Sequence, residues 1–211
     1  MTDPRSHSLT SRQAAARILA SVALGVAIAA AIVVNGVSAS SAGVAVSPPG
    51  TAAAQLSALR QAPVDPTAPA EVQAGLAAGS ARADDVRVLG RALGGGDLTL
   101  YAAARADGGA CHALGASKRG VGTVCVDKLQ DGISIAASDT SGWLVYGFAA
   151  DDVLAVDVIV DGDPQPARML ANAYALDLGA RELGAATALV VHHADGTSST
   201  VKSGLQAPPS A

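Results

Sequence analysis

The stretch LAVDVIV, residues 154–160, decides the fold. In an extended chain successive side chains alternate, so Leu154, Val156, Val158 and Val160 share one face and Ala155, Asp157 and Ile159 the other. One face is cleanly apolar, which predicts a strand half-buried against a core. The stretch ends at Asp161-Gly162, a dipeptide that tight hairpins favour because both central residues need positive φ. The same punctuation recurs at Asp107-Gly108, Asp131-Gly132 and Asp195-Gly196. Around these turns a two-residue period predicts further strands over 86–93, 98–105, 110–114, 122–127, 133–137, 143–148, 165–170, 189–193 and 198–202. Short strands joined by hairpin turns define a mainly β domain, an antiparallel β-sandwich or small barrel. Strands do not alternate with long helices, so a parallel nucleotide-binding sheet is not expected.

Moving towards the N-terminus, the period changes. Val72 and Leu76 recur among polar residues, Pro69 stands near a helix start and Glu71 falls in its first turn, which predicts a short helix over 69–81. Gly75 and Gly79 weaken that helix on propensity. Residues 38–54 are Ser, Ala, Gly and Pro with little else, a flexible linker. No Asp, Glu, Lys or Arg occurs from Ile18 to Leu59. A 20-residue apolar segment over 18–37 spans about 30 Å as a helix, the thickness of a bilayer core. Arg5, Arg12 and Arg17 precede it and Arg60 is the next cation, so residues 1–17 are placed in the cytoplasm and the chain beyond about residue 39 outside. A signal peptide shares this layout, and cleavage near Ala39 or Ala42 would leave a secreted protein. The apolar run exceeds the roughly 7 to 15 residues of a usual signal core, which favours a retained anchor. The β-rich domain then covers 55–205 and a disordered tail 206–211.

Cys111 and Cys125 fall in adjacent expected strands, with a turn at Lys118-Arg119-Gly120 between them. A hairpin brings them opposite one another, and in an oxidising compartment they pair. Closing such a loop is worth about 3 kcal/mol in the chain-entropy model. Cys111-His112 and Cys125 lack the spacing of a zinc framework, so no metal is expected there.

Three segments carry a resemblance: residues 145–153 (VYGFAADDV), residues 156–162 (VDVIVDG) and Asn172-Ala173-Tyr174. With Leu59-Arg60 and the cysteine pair, they make residues 55–200 similar to uncharacterised exported or membrane-anchored proteins of high-GC Gram-positive-type bacteria. The chain departs from that pattern at Asp152, where Gly is more usual, and at Gln61, where a second basic residue is typical. The resemblance implies an extracytoplasmic domain and no assigned activity.

A net charge of −4 and a pI near 5.4 remove the electrostatic reason to bind nucleic acid. Motifs for chemistry are sparse. Ser199-Thr200-Val201-Lys202 fits S-x-x-K but has no S-D-N or K-T-G partner. Gly115-Ala116-Ser117 opens a nucleophile-elbow pattern that Arg119 fails to close. Gly94-Gly95-Gly96 lacks the Lys-Ser/Thr of a phosphate loop. His192 and His193 adjoin on a strand and point to opposite faces, the wrong arrangement for joint metal ligation, although Asp195 is near enough to pair with one of them. Asp161 and Asp163 read as turn residues rather than calcium ligands. Glu71 and Glu182 are the only glutamates, poor support for a sugar-cleaving carboxylate pair.

The chain has one Trp, three Tyr and one Phe. Alternation puts Tyr146 and Phe148 on one face, needed by the core, and Trp143 on the other as the one candidate ligand contact. No catalytic, cofactor or metal residues are assigned. The sequence therefore reads as a non-enzymatic, membrane-anchored envelope protein that contacts the membrane through 18–37 and a protein or cell-wall partner through its β domain. The alternatives are a cell-wall or extracellular hydrolase, and an accessory subunit of a membrane signalling complex, since 17 cytoplasmic residues are too few for a folded output domain.

Overall fold

The computed structural model describes residues 50–94, 96–116, 119–140 and 142–206. The expected span over 18–37, residues 38–49 of the linker and the tail from 207 lie outside the described residues. Among the described residues, no helix is long and apolar enough to cross a membrane. The last residues of the linker stretch join the fold: Ala52 begins a 3₁₀ turn and is fully buried. A short helix follows, α1 (Ala58–Gln61), which buries Ala58 and Leu59.

The helix expected over 69–81 is α2 (Ala70–Ala78), with Pro69 at its N-cap and Glu71 in the first turn. Its buried residues are Val72 and Leu76, four apart and therefore on one face. The helix stops at Gly79, and Ser80 follows with φ +62°.

Among the described residues twelve strands follow. β1 (Arg87–Leu93), β2 (Leu98–Ala104), β3 (Ala110–Ala116) and β4 (Arg119–Val126) form an antiparallel meander in chain order. β5 (Ala136–Asp139), β6 (Trp143–Phe148), β10 (Ala173–Asp177) and β9 (Arg168–Leu170) form a second sheet in the order β5-β6-β10-β9. β7 (Val153–Val160), β8 (Asp163–Pro166), β11 (Ala186–His193) and β12 (Ser198–Lys202) form the third, in the order β12-β11-β7-β8. The molecule is mainly β with antiparallel sheets, as the alternation predicts. No sheet closes on itself, so the barrel alternative falls, and three sheets rather than two share the structure. Closure needs the first and last strands of a sheet to pair. In the third sheet β8 works against it: Ala167 N–H donates to Val156 O, which turns the nitrogens of Pro164 and Pro166 to the outer rim.

The first sheet is buried on both faces. Tyr101, Ala103, Cys111 and Ala113 meet Val72 and Leu76 of α2, while Leu100, Ala102, Ala110 and Leu114 belong to the main core. Cys111 and Cys125 are directly opposed on β3 and β4, Cα atoms 4.0 Å apart, and form the expected disulfide. The bridge lies against the end of α2. A Cβ on Gly79 would come within 2.3 Å of Cys125 Sγ and 2.9 Å of Cys111 Sγ, and one on Gly75 within 2.4 Å of Thr123 Oγ1. The glycines that weaken the helix on propensity are thus the line along which it approaches the sheet.

The deciding stretch is corrected at one position. Val156, Val158 and Val160 are buried, but Leu154 is 63% exposed. Val153 pairs with His193 and Ala155 with His192, so β7 carries one extra residue, and this bulge turns Leu154 outward and Val153 inward. The expected strand over 165–170 is also divided, into β8 and β9, which belong to different sheets.

Candidate functional site

The bulge in β7 places side chains at the end of the third sheet where β11 turns into β12. His192 and His193 do face opposite ways, and each meets one serine from β12 and one aspartate. On the outer face His192 Nδ1 is 2.9 Å from Ser198 Oγ and its Nε2 2.9 Å from Asp157 Oδ2. At the mouth of the inner face His193 Nδ1 is 3.1 Å from Asp152 Oδ2 and its Nε2 3.5 Å from Ser199 Oγ. The Asp131-Gly132 turn packs here: a Cβ on Gly132 would lie 2.9 Å from Val153 Cγ2 and 3.4 Å from His193 Cε1, and its φ of +80° favours glycine as well.

Asp195 hydrogen-bonds to neither histidine, although the charge of His193 acts on it. Its Oδ1 accepts from Thr197 N–H and Oγ1–H, and the bond from the Thr197 hydroxyl, chief among these contacts, holds its carboxyl below the usual range. Ser199 and Lys202 are three apart on a strand and fall on opposite faces, so the S-x-x-K reading has no geometry behind it. Asp161 takes φ +55° in a turn and faces Arg181 at 3.6 Å, while Asp163 opens β8. Among the described residues no group of three or more His, Cys, Asp or Glu is placed to hold a metal. Gly94, φ +59°, lies in the β1–β2 turn, and Gly115 lies under Val72 in β3; Ser117 is outside the described residues.

Trp143 opens β6 opposite Asp139, half-buried and packed on the margin of the core, with its carbonyl accepting from Leu178 N–H at 2.8 Å. Tyr146 and Phe148 are fully buried, as the alternation requires. A cleft of about 430 Å³ lies elsewhere, between α1, residues 149–153 and residues 169–172, with Gln61, Met169 and Leu170 on its walls. Its floor is pinned by Asn172, which sits at φ +56°. Asn172 Oδ1 accepts from Ala58 N–H at 2.6 Å, and its Nδ2 donates to Ala149 O and to Asp151 Oδ1. Burial raises the Asp151 pKa, but bonds from Ser57 and Asn172 and the charge of Arg60 outweigh it and leave the carboxyl below its usual range. These groups satisfy one another, so they hold α1 on the sheets, and the cleft walls show polar and apolar surface in about equal measure.

The aspartates of the histidine clusters escape a reading of the sequence because they lie 35 and 41 residues from their histidines. The one local signal is Asp157, a charge in the middle of an apolar strand. No family model, curated protein or solved structure matches the chain.

Proposed function

We propose that this chain is a single-pass envelope protein, anchored through residues 18–37 with its N-terminus in the cytoplasm, whose extracytoplasmic β-rich domain acts by binding a protein or cell-wall partner rather than by turnover. The observation that carries the reading is the Cys111–Cys125 bridge in a domain that follows a long uncharged apolar segment, since disulfides persist in oxidising compartments. The half-buried position of Trp143 supports a contact surface there, because an aromatic ring left partly outside the core offers area at small entropic cost. The test has two arms. A reporter enzyme that works only outside the cytoplasm, fused after residue 60, is expected to be active; activity of a cytoplasm-specific reporter at that site would reverse the topology. The full chain is expected to retain purified wall fragments or to capture a membrane partner, and Trp143→Ala to weaken that retention with little change in unfolding midpoint. Undiminished retention by Trp143→Ala would remove Trp143 from the surface.

A further inference from the structure

We propose that Ser199 is a nucleophile toward activated acyl groups, with His193 as its base and Asp152 as the residue that positions the base. The order of contacts carries the argument. Asp152 meets His193 at Nδ1 and Ser199 lies at Nε2, 3.1 Å and 3.5 Å away. A carboxylate at Nδ1 holds the proton there and leaves the Nε2 lone pair facing the hydroxyl, the arrangement that activates a serine. The longer of the two distances is of the kind that tightens when a substrate is in place. His193 is held, with 15% of its side chain exposed, whereas Asp152 is 63% exposed and its interaction is screened by solvent. Asp152 therefore contributes less than the imidazole does.

The neighbouring residue is a control supplied by the fold. His192 meets the same residue types in reverse, Asp157 at Nε2 and Ser198 at Nδ1, on the open face of the sheet. In the proposed step Ser199 Oγ bonds to the carbonyl carbon of an activated ester while its proton passes to His193 Nε2. The bond from that carbon to the leaving oxygen then breaks, and the leaving group takes the proton back. The products are an acyl-serine and an alcohol or phenol. Ser199 faces Val191 in the β11–β12 ladder, where His193 N–H to Thr197 O and Ser203 N–H to Thr187 O turn the odd-numbered residues of β12 inward. Its own N–H is thus committed to the ladder and cannot stabilise an oxyanion. The expected chemistry is one acylation per chain, compatible with a protein whose main work is binding.

Purified full-length chain is treated with p-nitrophenyl acetate, and the site and rate of acetylation are read by peptide mass mapping. One acetyl group is expected on Ser199, absent in Ser199→Ala and unchanged in rate in Ser198→Ala. His193→Gln is expected to slow it about a hundredfold, the scale of general-base assistance. Asp152→Asn slows it less, and Asp152→Glu restores it. Ser199→Ala removes one half-exposed hydroxyl from a strand, so its fold is retained, and the mapped position in the unaltered chain is decisive by itself. Acetylation at Ser198 or a lysine instead of Ser199, a rate unchanged in His193→Gln, or no acetylation overturns the proposal.

Discussion

His112 sits on the inner face of β3, fully buried, with its ring edge-on to Phe148 at 4.7 Å and to Tyr146 at 5.3 Å between centroids. Neither ring nitrogen has a partner among the described residues. Burial without a partner disfavours the charged form and pushes its pKa down to about 3. In the unfolded chain an imidazole titrates near about 6.5. Between those values the unfolded state holds the extra proton, so stability rises with pH and is lost as pH falls from about 6.5 towards 3, by up to about 1.4 kcal/mol per pH unit. Urea midpoints at pH 7, 5.5 and 4.5 are expected to drop steeply in the unaltered chain and less in His112→Leu. Equal slopes would show that His112 does not govern the acid limb. Two tyrosines give a second contrast. Tyr174 Oη donates to Ser134 O at 2.8 Å, whereas the buried Tyr146 hydroxyl has no partner among the described residues. Tyr174→Phe should cost about 1 kcal/mol and leave the Ser134 carbonyl short of a donor, while Tyr146→Phe should be neutral or stabilising in thermal unfolding.

At the scale of elements, the contact between α2 and the first sheet is set by what is missing from the helix. The Gly79 backbone takes φ −80°, which any residue adopts, so only the space is restricted. Gly79→Ala would drive a methyl into the disulfide and is expected to cost about 1 to 3 kcal/mol. Gly184→Ala, where a new Cβ meets nothing within 4 Å, should be neutral. Chemical unfolding of both variants decides, and equal midpoints would remove the close approach as a constraint. The same contact shows what a sequence can and cannot tell. The two-residue period was legible from Val156 to Val160, and so were the helix start at Pro69 and the facing of Cys111 with Cys125. The bulge that turns Leu154 outward was not, because it depends on how β7 registers with a strand more than thirty residues later. β10 was not expected as a strand either. Ala173, Tyr174 and Ala175 are all buried because both faces of that central strand are covered, which erases the alternation. Both histidines were visible in the sequence, and their opposite facing held, but the aspartates that meet them are brought in by tertiary structure alone.

For the whole molecule, the shortage of large side chains makes the covalent link count. The largest fully buried side chains include Tyr146, Tyr174 and Phe148, and the remaining core is mostly alanine, leucine and valine. Loss of the Cys111–Cys125 bridge should lower stability by about 3 kcal/mol. It should also loosen α2, which rests on the bridge through Gly79. The full chain, isolated without reductant, is expected to show no alkylation of either cysteine; quantitative alkylation of both under those conditions would refute the bridge. Amide exchange after reduction should quicken first at residues 70–79, ahead of the third sheet.

The two prolines of β8 leave the third sheet with unequal rims. On one side Pro164 and Pro166 present nitrogens that carry no hydrogen. On the other, the inward-facing odd residues of β12 leave the backbone N–H and C=O of Ser198, Thr200 and Lys202 turned away from β11. A sheet with two open rims can add copies without end, and long unprotected edges are where chains aggregate. Here only one rim is able to accept a neighbour through a full ladder. Two chains that met along β12 would each bury their open rim and present only proline-blocked ones, so growth through this sheet ends at a pair.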